Sequence, residues 1–321
     1  MADGWREAVT TRRLPSRSGE GEAGHTGAVN VVLALVAVLG VSLSGPLMAA
    51  TAAPVLAIAF WRNAMATGLL APFALTRHRA AITGQTRNGW GLSIVAGAAL
   101  AAHFACWVGS LKLTSVAAAT ALVSMQVLFV IAIDALRGRR ATAAVVGGSL
   151  LALAGVAAIS GVDLSLSRDA IIGDGLALAG GLFAAIYVVT GARVRETLST
   201  TAYTFTCYGI CSAILLVACL ATGVPLSGWS ARAWVLIVAV MVCAQLLGHS
   251  VINHLLAVMS PVVVSLLLLL EVPGAALVAA AFLDESLPWA TYAGIVLILA
   301  GLAVVTAANG RARRVEPLVA D

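Results

Sequence analysis

Charge is scarce in this chain. Only 10% of its 321 residues are Asp, Glu, Lys or Arg, against about 25% in an ordinary soluble domain. With 61% hydrophobic residues and a mean hydropathy of +1.01, a soluble globular fold is excluded. Cysteine is sparse too. Cys106, Cys207, Cys211, Cys219 and Cys243 all fall inside apolar runs and form no CxxC pair. They read as small buried hydrophobes rather than a disulfide framework or a metal site. Neither a GxxxxGK[ST] phosphate loop nor an HExxH zinc motif occurs, so neither a P-loop ATPase nor a zincin has its signature. No cofactor and no metal is expected. The net charge of +5 does not point to nucleic acid, because the arginines sit between apolar runs, where they orient a membrane protein.

Long apolar runs are what the chain does have, each near the ~20 residues that cross a hydrocarbon core as a helix. They cover residues 29–49, 54–75, 90–111, 115–136 and 141–160, then 172–192, 200–221, 233–257, 260–283 and 288–308. The expected fold is all-α and polytopic, with ten transmembrane helices. Residues 1–27 are polar and Gly/Ser-rich and are expected to form a disordered cytoplasmic tail, and residues 309–321 a second cytoplasmic tail. Arg12-Arg13 and Ala50-Thr51-Ala52 imitate a cleaved secretory signal, but cleavage would remove the first helix of the repeat described next, so that helix is taken as retained. All 19 Lys and Arg except Lys112, Arg168, Arg232 and Arg62 fall in the two tails and the even-numbered loops. The positive-inside rule then places both termini in the cytoplasm of a plasma-membrane protein.

The two halves match at an offset of 145. Ser115 aligns with Ser260, Leu122 with Leu267, Gln126 with Glu271 and Val127 with Val272. After a slip of one, Gly148, Leu151, Ala154 and Gly155 align with Gly294, Leu297, Ala300 and Gly301. Each unit, residues 28–160 and 172–308, holds five helices. An odd number forces the second unit to enter from the opposite face, which makes the repeat inverted. Carriers with this design place their site near the midplane, between the repeats.

Glu271 is the one acid well inside a span. It lies about 11 residues into helix nine, roughly 16 Å along the axis, and Pro273 removes the amide that would bond the Leu269 carbonyl. At that depth desolvation favours the neutral acid, and a neighbouring cation favours the carboxylate. The group is either a coupling site, holding a proton in the empty protein and releasing it to a cationic partner, or a protonated packing contact. A proton-driven, a sodium-coupled and an uncoupled carrier all stay compatible with it.

The sequence around these positions resembles the EamA-type branch of the drug/metabolite transporter superfamily. The likeness rests on Ile172–Glu196, with its Gly-Asp opening, Phe183, Tyr187 and basic end, and on Leu266–Val305, with a Glu-x-Pro helix, an acidic loop and a Gly-x6-Gly helix. Ile58–Leu75 resembles the second helix of that branch, including its Arg. The resemblance spans residues 30–307. It implies a secondary carrier of small metabolites, often an exporter of amino-acid-like or amphipathic compounds. Leu128 departs from it, since a Pro often follows at that point of the first repeat; a symmetric role for helix four is therefore in doubt.

Candidate substrate-binding or coupling residues are Glu271, Arg62, Trp107, Asn253, His249, His103 and Gln126. Arg62, roughly 12 Å into helix two, either meets a carboxylate of a solute or of Glu271, or caps backbone carbonyls. His249 and Asn253, four apart, share a helix face; His254 does not join them. His103 and Trp107, one turn apart, either line a cavity or sit in the interfacial belt. Asp174 reads as the cap of helix six, and Asp284 and Glu285 as charges closing helix nine. The expected cavity is open to one side, with Arg62, Trp107 and Asn253 on its wall. Partners are a small-molecule solute, lipid and, for a coupled carrier, protons; the oligomeric state is open. The competing class is a membrane-embedded lipid-modifying enzyme, which requires a cluster of acids or metal ligands that is missing here.

Overall fold

The structure is a computed structural model that describes residues 18–114, 116–160, 167–283 and 287–315. Among these, every regular element is helical. Ten helices are long and apolar enough to cross a membrane: α1 Ala28–Met48, α2 Val55–Arg77, α3 Arg87–Ser110, α4 Ala118–Leu136, α5 Ala143–Ser160, α6 Arg168–Arg195, α7 Thr200–Ala221, α8 Ala231–Leu255, α9 Pro261–Val278 and α10 Trp289–Asn309. The expected tails fall largely outside the described residues, although helical backbone already begins at Ser18 and runs to Val315. Asp284 and Glu285 also lie outside them.

Sequence sets the ends of these helices. Thr86, Ser167, Ser199, Ser230 and Ser260 each accept a hydrogen bond from an amide of the first turn, the usual side-chain solution for orphan donors. Helix six therefore starts at Arg168, capped by Ser167. Asp174, expected as the cap, lies a turn and a half inside, where its Oδ1 accepts from the Thr114 hydroxyl at 2.7 Å. The serine wins because only a residue of extended backbone just ahead of the helix can reach the free amides.

Packing displays the repeat. α3 packs along α6 as α1 packs along α8, and α2 pairs with α7 as α5 pairs with α10. Advancing every helix by five exchanges or preserves these pairs, as a twofold pseudo-axis requires. The glycines make the same point at atomic scale. Gly148 faces the carbonyl of Gly301 and Gly155 that of Gly294, and a Cβ at Gly155 would lie 2.6 Å from the Gly294 oxygen. The sequence repeat aligns Gly148 with Gly294 and Gly155 with Gly301, so each contact is the image of the other. Small residues let α5 and α10 touch through backbone where apolar lipid supplies no hydrophobic drive.

The perimeter is apolar. Leu35, Leu39, Val217, Leu220, Val235 and Val296 are each more than half exposed, an arrangement that water would penalise and lipid does not.

Candidate functional site

Two of the ten helices break at mid-length, at equivalent places. α9 consists of Pro261–Leu269 and Glu271–Leu283, parted at Leu270. With no amide at Pro273, the next bonds are Leu270 N–H to Leu267 at 3.1 Å and Gly274 N–H to Leu270 at 3.0 Å. α4 consists of Val116–Val123 and Gln126–Leu136, parted at Ser124 and Met125. Leu128 stands where the resemblance has a proline, and α4 is broken there all the same. Here Val127 N–H turns to Ser124 and Leu128 N–H to Met125, both short-range bonds, and Ser124 Oγ donates back to the Thr120 carbonyl at 2.7 Å. A Cβ at Gly181 of α6 would lie 2.8 Å from the Val123 carbonyl, so α6 approaches α4 closely at the break. Gln126 and Glu271 each open the second half of their helix.

A third irregularity lies in α8, where Met241–Ser250 is wound as a π-helix. Ser250 Oγ donates to the Gln245 carbonyl five residues back, at 3.0 Å, and Tyr208 OH donates to the same carbonyl at 3.2 Å. The wide turn aims Gln245 at α2. π-Turns of this kind recur at functional positions.

These elements enclose a cavity of about 1020 Å³ between the two repeats. It reaches the surface around Pro46, Ala52 and Lys112, which are exposed, on the face opposite the chain ends. Arg62, His103, Trp107, Gln126, His249 and Glu271 all line it. Asn253 does not. It is fully buried beneath the cavity, where Tyr187 OH donates to its Oδ1 and its Nδ2 donates to Thr204 Oγ1 at 3.5 Å. Arg195 Nε donates to the Asn253 carbonyl at 2.9 Å, and the same guanidinium reaches the Leu198 carbonyl. This network ties α6 and the turn after it to α7 and α8. The four-residue spacing of His249 and Asn253 describes an α-helix; His249 lies in the π-turn and Asn253 beyond it.

Arg62 is 1% exposed. Its Nε donates to Gln245 Oε1 at 2.7 Å and its Nη1 to Ser44 Oγ at 3.4 Å, while Gln245 Nε2 donates to Asn63 Oδ1 at 2.9 Å. The guanidinium carbon stands 4.6 Å from the centre of the Phe104 ring, a cation–π contact. Nη2 has no partner. Neither do two other buried atoms of lining residues, Trp107 Nε1 and His249 Nδ1. His103 Nδ1 meets the Gly180 carbonyl at 3.0 Å and its ring stacks on Trp107, 6.1 Å between centres. Gln126 Nε2 donates to Ser265 Oγ at 3.2 Å across the two broken helices. Glu271 lines the same cavity as Arg62, but among the described residues no acid bonds Arg62 directly.

Gln245, Asn63 and Ser44 were not among the candidate site residues expected from the sequence. Amides inside apolar runs are the signal that could have found the first two, the same signal that marked Gln126. Chemically, the chamber offers donors on α2 and α3, an acid on α9 and rings between them. Buried polar atoms without partners are costly unless something visits them.

The EamA-like transporter family matches the chain twice, over residues 29–161 and 171–307. No curated protein sequence matches it. Among solved structures, a crystal structure described simply as that of a protein superposes with a TM-score of 0.75 at 19% identity. The alignment covers 90% of this chain and 99% of that one. At that identity the likeness bears on the fold alone.

Proposed function

The chain belongs to the EamA-like transporter family, and on that premise we propose that it is a secondary active exporter of small amino-acid-like or amphipathic metabolites, coupled to protons through Glu271. The broad class, a multi-pass membrane transporter, follows from the family and the ten spans. The finer reading rests on one observation: among the described residues of the solute-sized cavity between the repeats, Glu271 is the lone acid, at the first residue of a broken half-helix. Broken helices meeting at the repeat interface are where carriers of this design bind solute and coupling ion.

In this reading the protein lies in the plasma membrane with both termini cytoplasmic, since positive charge gathers on that face. The described conformation is then open to the outside. Transport proceeds by rocking one repeat against the other. The mouth around Lys112 closes, and the Tyr187–Asn253–Arg195 network parts to open the inner end. Reconstitution tests this. Proteoliposomes loaded with a metabolite mixture should show solute counterflow that accelerates under a pH gradient, with no product formed. Chemical turnover of a lipid without counterflow would favour the enzyme instead.

A further inference from the structure

The cavity has a polarity that follows from the placement of its charges. Glu271 is the only acid among its described lining residues, and Lys112, the only lysine in the chain, stands exposed at its mouth. Arg62 lies at depth. A guanidinium stays charged in proteins, yet this one is bonded only to neutral oxygens and leaves Nη2 unpaired. Trp107 Nε1, between mouth and floor on α3, is a second unpaired donor, and an indole N–H can only donate. From entrance to floor the chamber therefore offers cation, donor and cation. Phe104, His103 and Trp107 form a wall of rings beside them.

Resting on the carrier reading above, we propose that the solute is an organic acid bound as its carboxylate, carrying an apolar body the size of a ring, with Arg62 as its anchor. The carboxylate meets Nη2 in a charge-assisted bond, Trp107 Nε1 takes a second acceptor, and the body lies against the rings. A solute carboxylate takes the place beside Arg62 that no acid among the described residues occupies by direct contact. The other charged or titratable groups facing Glu271 into the chamber are His103 on α3, Tyr187 on α6, His249 on α8 and Lys112 at the mouth; none is an acid of carboxylate strength.

The test uses the full-length protein in nanodiscs and four probes of one shape: 3-phenylpropionate, its amide, 3-phenylpropylamine and phenylalanine. Binding is read by calorimetry and by thermal shift. 3-Phenylpropionate should bind saturably, and the amide and amine at least about tenfold more weakly, as loss of a charge-assisted bond implies. Arg62→Gln should weaken the carboxylate by a similar factor. If Arg62→Gln does not fold, Trp107→Phe should still weaken binding, and Lys112→Gln should slow association and flatten its salt dependence. The proposal is overturned if the amine binds as tightly as the carboxylate. It is equally overturned if phenylalanine binds tenfold tighter and needs Glu271, or if 3-phenylpropionate gives no shift at about 10 mM, a concentration that would reveal even a weak site. Counterflow of other solutes alongside such a failure would overturn the solute class and leave the carrier; absence of any counterflow would overturn the carrier itself.

Discussion

Gln126 and Glu271 occupy one position of the repeat and differ by a single titratable atom. Each begins the second half of a broken helix, each lines the cavity, and they stand 145 residues apart. α9 has a proline to explain its break, and α4 has none. The break is therefore a demand of the packed repeat rather than of proline, and a polar side chain at the break is a demand of the cavity. Neither demand calls for a carboxyl. What α9 adds to the shared architecture is the ability to exchange a proton.

The sharpest way to break this comparison is to make the two sides equal. Gln126→Glu places a second acid at depth, beside Ser265, with its own cation no nearer. It should destabilise the protein by about 2–3 kcal/mol, the scale of an intramembrane acid, seen as a lower melting temperature in detergent. An undiminished melting temperature would mean that α4 accepts charge as readily as α9, and the asymmetry would carry no weight. Next in size is Gly181→Ala. Its Cβ would come within 2.8 Å of the Val123 carbonyl, which is backbone and cannot step aside. A loss of about 1–3 kcal/mol is expected for overpacking of this kind, together with faster amide exchange around Met125. Smallest should be Leu128→Pro, which gives α4 the proline of its counterpart. It removes only the Leu128–Met125 bond of 2.9 Å, worth about 1 kcal/mol. A collapse of folding there would show that α4 depends on a continuity its backbone does not display.

Much of this was legible in the sequence, and for a physical reason. Apolar runs report spans directly, because lipid tolerates little else, and an acid at the centre of one stands out against them. The offset of 145 placed Gln126 opposite Glu271 before any packing was visible. What escaped has an equally physical cause. The π-turn of α8 leaves no local mark, since Met241–Ser250 is ordinary helix composition; so Gln245, which it brings to Arg62, went unnoticed, and Asn253 was expected on a wall from which it is screened by Tyr187. The break in α4 lies where α6 approaches closely at Gly181, a contact across a sequence distance that no local pattern records. Asp174 was taken for a cap because a carboxylate near a helix start is favourable, but Thr114, sixty residues away, holds it.

The central claim is that the carboxyl group of Glu271 couples transport to protons while the rest of its surroundings is architecture. Glu271→Gln tests it most directly, since it gives α9 the side chain that α4 already carries. The variant, reconstituted beside the parent protein, should fold and should still exchange solute by counterflow. Its transport rate, measured with and without an imposed pH gradient, should be the same under both conditions, while the parent accelerates. Equal acceleration of parent and variant by the gradient would contradict the claim and leave Glu271 as a packing residue.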